Sequence, residues 1–357
     1  MLWWQAVSMG ALQGVAELFP ISSLAQTILV PALLDWQFAQ SDRDQYLSFV
    51  VALHLATAIA LVLYFWKDWY RVMMGFLGCF TRGKLVYDKD SKFAWMLVAG
   101  CIVVGAAGLA LDKRISKIFQ DPSLAWIVGV LLVVNGFVML FGDFMKRVST
   151  RHAPPPPVDH PNDLAMHAAL VGKPVSMATE PATGHHIRAA EDLSLPRAAL
   201  VGAAQTFALL PGISRSGVTM VAGLFAGLTY EESSRFTFML ATPVIMLAAL
   251  KKLPELIKAP KLTMDPETNR MIIEAHHNLL MMSLIGSAAA FVCGYLSIRF
   301  LMKYFHTHRL MPFAIFCVLF GLFSAVYLKP QAKNHLTQNV GVNPGTEVIT
   351  ENPPTSR

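Results

Sequence analysis

Two short stretches of this chain carry reactive groups inside otherwise apolar surroundings. The first is QGVAELFPISSLAQ, Gln13 to Gln26. Gln13 and Glu17 are four residues apart, so a helix puts both on one face. Pro20 breaks that helix, and Ser22 and Ser23 follow at the start of the next limb. A serine hydroxyl there could attack phosphorus or cap the new helix. A carboxylate such as Glu17 within an apolar segment is expensive unless partnered, which marks it as a functional candidate.

The second stretch is PGISRSGVT, Pro211 to Thr219. The Pro-Gly pair stops one limb and turns the chain. Ser214 or Ser216 can cap the next helix, whose free N–H groups and dipole suit an anion. Gly217 allows close approach to the backbone. Arg215 adds a planar fork of donors that matches phosphate. The structural alternative is an arginine reaching the membrane interface beside ordinary serine caps.

The elements that must position these groups are set by hydropathy. Of 357 residues, 54% are apolar and 15% charged, well below the roughly 25% charge of a soluble domain. Apolar runs near 46–66, 93–111, 124–142, 233–252, 279–298 and 312–328 are long enough to cross a bilayer. The fold class is therefore an all-α polytopic membrane protein. The regions 2–34 and 198–228 are broken at Pro20 and at Pro211-Gly212, leaving limbs too short to cross. Non-helical backbone at membrane depth must be buried in protein or line a wet cavity, so both read as re-entrant hairpins.

The hairpins resemble each other. Gly10-Ala-Leu-Gln13 parallels Gly202-Ala-Ala-Gln205, and Pro20-Ile-Ser-Ser23 parallels the Pro211 to Ser216 segment. Leu-Ala-Thr recurs at 55–57 and 240–242. The expectation is two repeats, 1–145 and 198–328, each a hairpin plus three spans. Three spans between the hairpins make the repeats inverted, with both tips near the midplane. Between them, 146–197 is polar, with Pro154 to Pro157 and His152, His160, His167, His185 and His186 irregularly spaced. It reads as a flexible insert with solvated histidines, and 329–357 as a polar tail.

Other classes are disfavoured. No dense basic run with aromatics points to nucleic acid, so the net charge of +6 fits membrane topology and anionic lipid. Cys79, Cys101, Cys293 and Cys317 lack metal or redox spacing. The N-terminus, Met1-Leu-Trp-Trp, has no basic n-region, so a cleaved signal peptide is not expected. Lys67, Arg71, Arg82, Lys84, Lys89 and Lys92 suggest a cytoplasmic loop after the first span, while the basic 251–270 segment argues for the opposite orientation.

The paired motifs resemble those of the bacterial undecaprenyl-diphosphate phosphatase family, the bacitracin-resistance proteins, over roughly Leu2 to Leu328 apart from the insert. That family's second motif, Pro-Gly-x-Ser-Arg-Ser-Gly-x-Thr, is complete here. In its first motif, Glu17, Pro20, Ser22 and Ser23 match. Gln13 replaces a glutamate, and Leu24-Ala25-Gln26 replaces Thr-Gly-His, so the family histidine is missing. His54, within the first span, is either a core histidine bonded to a carbonyl or the substitute base.

The resemblance implies hydrolysis of a polyprenyl diphosphate to lipid phosphate and inorganic phosphate, in the bacterial plasma membrane, recycling a carrier for cell-wall glycan. In that reading Ser23 is the nucleophile, with Ser22 the alternative, and Glu17 activates it or holds a divalent cation (Mg or Ca). Arg215 clamps the phosphoryl group, and Ser214, Ser216, Gly217 and Thr219 assist. A homodimer is compatible with it. The rival from another class is a polyprenyl-phosphate transporter that keeps the phosphate site without catalysis.

Overall fold

The computed structural model describes residues 1–36, 38, 43–119, 124–151, 189–257 and 266–340. All regular secondary structure among them is helical. Six helices contain spans of 19 to 29 residues, about 28–44 Å at 1.5 Å per residue, enough for a hydrocarbon core of about 30 Å. They are α3 (Arg43–Tyr64), α5 (Lys89–Phe119), α6 (Ala125–Arg151), α9 (Tyr230–Ile257), α10 (Pro266–Thr307) and α11 (Met311–Val340). The chain is thus a multi-pass membrane protein, with the spans close to where hydropathy put them.

The broken regions form pairs of short helices. The first pair is α1 (Trp3–Ala16) and α2 (Ser23–Leu33); the second is α7 (Leu195–Ala204) and α8 (Arg215–Phe225). None exceeds 14 residues, too short to cross. The second pair is joined through a 3₁₀ stretch, Gln205–Leu209, and Gly212 turns the chain at φ 112°, a backbone region open to glycine.

Small residues bring the hairpins onto their neighbours. A Cβ on Gly10 of α1 would lie 2.1 Å from the Gly286 carbonyl oxygen of α10. One on Gly202 of α7 would lie 2.3 Å from the Gly100 Cα of α5. Without side chains the backbones approach directly, the usual device for close helix contact in a membrane. Phe49, Phe236, Phe238, Phe305 and Met9 fill the interior, while Phe137, Leu247, Leu284 and Leu319 point outward, as lipid-facing residues do.

Pro31 sits inside α2. Proline supplies no N–H to the carbonyl four residues earlier, here Thr27. That carbonyl instead accepts the Tyr46 hydroxyl of α3 at 2.6 Å. A defect in one helix thereby becomes a tie to the next.

Three segments depart from the sequence reading. Part of the basic loop after the first span is a helix, α4 (Trp66–Arg82), ended by Gly83 in the left-handed region. Its Val72, Gly75 and Cys79 are buried, while Trp66, Tyr70, Met73, Leu77 and Phe80 form an exposed apolar stripe. The charges at 67, 68, 71 and 82 interrupt the run of apolar residues and conceal this stripe from a linear window. The polar insert is also shorter than 146–197. Lys146 to Arg151 continue α6, and Ala190–Asp192 form a docked 3₁₀ turn. There Glu191 bonds Arg235 of α9 at 2.9 Å, its carbonyl accepts Lys92 of α5 at 3.1 Å, and the Ala190 N–H reaches Glu232 at 2.9 Å. Finally, α11 continues to Val340, past the expected start of the tail. The insert histidines at 152, 160, 167, 185 and 186 lie outside the described residues.

Candidate active site

Glu17 is the hub of the two motifs. It caps the end of α1 with its carboxylate almost fully buried, and polar side chains from four elements surround it. From α1, Gln13 Nε2 donates to Oε2 at 2.9 Å, as the four-residue spacing predicts. From the start of α2, the Ser23 hydroxyl donates to Oε2 at 2.5 Å. From the start of α8, an Arg215 guanidinium nitrogen is paired with Oε1. From the middle of α3, His54 Nε2 lies 3.3 Å from Oε2.

The histidine geometry has a chemical consequence. His54 Nδ1 is 2.8 Å from the Val50 carbonyl. A carbonyl can only accept, so Nδ1 carries the hydrogen. In the neutral ring the Nε2 lone pair then faces a carboxylate oxygen. A proton between them is held by two bases, either of which can pass it on. One ring thus makes both the local carbonyl bond and the approach to Glu17.

Accessibility separates two groups of residues. Ser23 is half-buried, and the Arg215 and His54 side chains retain 23% and 22% exposure. These three are the polar side chains of the cluster that keep some exposed surface. Behind them the tips interlock. Ser214 caps α8 by accepting the Gly217 N–H at 3.2 Å and lies 3.1 Å from Ser216 Oγ. Ser216 donates to the Phe19 carbonyl at 3.3 Å. Ser22 caps α2 through the Ala25 N–H and donates weakly to the Ile213 carbonyl at 3.4 Å, with its backbone at φ 63°, a strained region for a side chain other than glycine. Thr219 is fully buried, and its hydroxyl has no partner among the described residues. Gly217 is packed against Asn135 and Met139. Gln26 is buried and turns its amide back to the Ile21 carbonyl at 3.2 Å. In place of the missing histidine it braces the first turn.

A resident cation does not suit this donor set. Glu17 is the sole carboxylate of the cluster, and both its oxygens are already occupied by donors. No three His, Cys, Asp or Glu side chains converge among the described residues.

One residue outside both motifs joins them. Asn135 of α6 is fully buried and bonds the Pro20 carbonyl and the Ser214 N–H. Nothing in its local sequence signals this; only an amide in the middle of an apolar span could have drawn notice.

Residues 6–323 match the family model described as bacitracin resistance protein BacA. The chain belongs to the BacA family. Similar proteins include the undecaprenyl-diphosphatase of Mycolicibacterium paratuberculosis (strain ATCC BAA-968 / K-10), 40% identical over 91% of this chain and 96% of that one. That of Mycobacterium avium (strain 104) is 39% identical over the same shares. Undecaprenyl-diphosphatase 2 of Frankia alni is 37% identical over 90% and 96%. Within this BacA-family chain, the matched region includes both broken tips, the first five spans and most of the sixth.

Proposed function

We propose that this chain hydrolyses undecaprenyl diphosphate to the lipid monophosphate and inorganic phosphate. The observation that carries it is the Ser23–Glu17–Arg215 cluster, in a chain whose full-length relatives are named for that reaction. Ser23 Oγ attacks the terminal phosphorus as its proton passes to Glu17 Oε2, and the Glu17–His54 pair holds that proton. The bond from phosphorus to the bridging oxygen breaks. The lipid monophosphate leaves without needing a proton, because its second pKa is about 6. Water then attacks the phosphoserine and the phosphorus–Oγ bond breaks. Ser23 regains its proton, and the water's proton passes to the same pair, which releases it to bulk water with the phosphate before the next turnover.

Arg215 meets Glu17 through one nitrogen and presents its remaining N–H groups to the transferring phosphoryl oxygens, where charge stabilisation dominates catalysis. Ser214, Ser216, Gly217 and Thr219 shape the α8 terminus that carries it, and Ser22 fixes the α2 terminus under Ser23. Glu17 is the one carboxylate that the described cluster offers to a divalent cation accompanying the diphosphate, and no step is assigned to it. All these groups belong to one chain, so a second copy is not needed to complete the cluster.

The setting is the bacterial plasma membrane, where the product re-enters glycan assembly. The two inverted repeats are supported by the exchange of neighbours: α1 meets the fifth span through Gly10 and Gly286, and α7 meets the second through Gly202 and Gly100. The comparisons lend no support to the transporter. Purified protein in detergent should release phosphate from undecaprenyl or farnesyl diphosphate and lose this with Ser23→Ala. Saturable binding of the diphosphate without phosphate release would overturn the reading.

A further inference from the structure

The Arg215–Glu17 ion pair joins the two broken tips, yet Arg215 must also serve an incoming phosphate. Something else has to hold the tips in register while it does so. The direct hydroxyl bonds between them, Ser22 to Ile213 at 3.4 Å and Ser216 to Phe19 at 3.3 Å, are long for O–H donors, which favour about 2.5–3.0 Å.

Asn135 offers a further tie, one of whose two bonds has ordinary N–H···O length. It lies midway along α6 with no exposure. Its Oδ1 accepts the Ser214 backbone N–H at 2.9 Å, and its Nδ2 donates to the Pro20 carbonyl at 3.3 Å. The amide orientation is fixed by its partners, since one can only donate and the other only accept. Both are backbone groups at helix breaks, where the helices themselves supply no partner. Cys317 of α11 backs the arrangement, 3.6 Å from the Pro20 carbonyl and 3.5 Å from Asn135 Nδ2. A Cβ on Gly217 would lie 3.2 Å from Asn135 Oδ1, so the motif glycine lets α8 close onto this amide.

We propose that Asn135 is a positioning residue that sets the two tips in register, and thereby sets Ser23 and Glu17 against Arg215. Its ties are to neutral backbone groups, so they persist when Arg215 turns to substrate. The structural part stands alone; the kinetic part rests on the phosphatase reading.

The test uses full-length Asn135→Leu, close in size but unable to make either bond, and Asn135→Ser as a milder variant. Hydrogen exchange at 17–23 and at 211–217 should quicken at both tips, by about tenfold or more, for two lost ties. The turnover number should fall by about tenfold to a hundredfold with KM little changed, the scale of a small misplacement in the site. On an Arg215→Ala background the same change should cost little more, because the two act through one geometry. Unchanged exchange in folded variants would overturn the proposal. So would losses that simply multiply across the two backgrounds, or failure of both variants to fold, which would make Asn135 a folding residue. If the wild-type protein releases no phosphate, the phosphatase reading fails, and the exchange data still decide the tie.

Discussion

At the scale of single residues, the site economises on charge. One carboxylate, one guanidinium and one imidazole share a buried cluster, with Gln13 in place of a second acid. A second glutamate at 13 would need another counter-charge in an apolar setting. Arg215→Lys keeps the charge but loses the planar fork. Phosphate release should fall by about a hundredfold or more, as when a transition-state donor is removed; turnover like the wild type would sink the clamp role. His54→Gln removes the shared-proton partner and should cost about a hundredfold or more, the usual worth of a general base. Gln26→His on that background should restore little, because residue 26 is buried and directed at Ile21. Full rescue, read by the same phosphate assay, would return the base role to position 26 and leave His54 as a core residue.

Breaks are the working parts at the scale of elements. The breaks at Pro20 and Pro211 leave donors and acceptors at membrane depth, and the Pro20 carbonyl and the Ser214 N–H both meet Asn135. Pro31 shows the same logic away from the site. Tyr46→Phe strands the Thr27 carbonyl and should lower stability by about 1–3 kcal/mol, the cost of a buried unsatisfied acceptor. Adding Pro31→Ala supplies the helical N–H again and should recover most of that loss. Unfolding midpoints in detergent for the two single variants and the double variant give the coupling; strictly additive losses would show that Thr27 is not the link.

Across the whole molecule, the second hairpin is anchored at its entry by a charged clasp. Arg235 of α9 binds Glu191 before α7 at 2.9 Å and Asp68 of α4 at 2.8 Å, with Glu232 at 3.5 Å. The clasp fixes where the polar insert must end. Replacing 153–187 with a Gly/Ser linker should leave phosphate release within about twofold, since the tied backbone on either side is kept. Extending the replacement through Glu191 removes one partner of a half-buried arginine. Thermal stability should then drop by about 1–2 kcal/mol, while charges elsewhere compensate in part. Equal stability of the two deletions would show that the clasp contributes nothing.

Hydropathy and local chain chemistry were enough for the spans and the two breaks. A span announces itself by an unbroken apolar run, because the bilayer admits little else. Gln13 beside Glu17, and serines after each break, follow from helix periodicity and capping, which are local. The sequence missed α4 because four charges interrupt its run of apolar residues, and only the burial of its other face shows that the stripe is one face. It misplaced the insert's ends because Glu191 and Ala190 are held by residues from distant helices. It left His54 open between two roles because its bond to Val50 is local while its approach to Glu17 is not. Asn135 carries no local mark, and its partners at 20 and 214 come together only when both hairpins fold against α6. Composition and spacing determine which groups enter the membrane. Which of them meet there is decided by packing, because a buried polar group must find its partner wherever the fold brings one within reach.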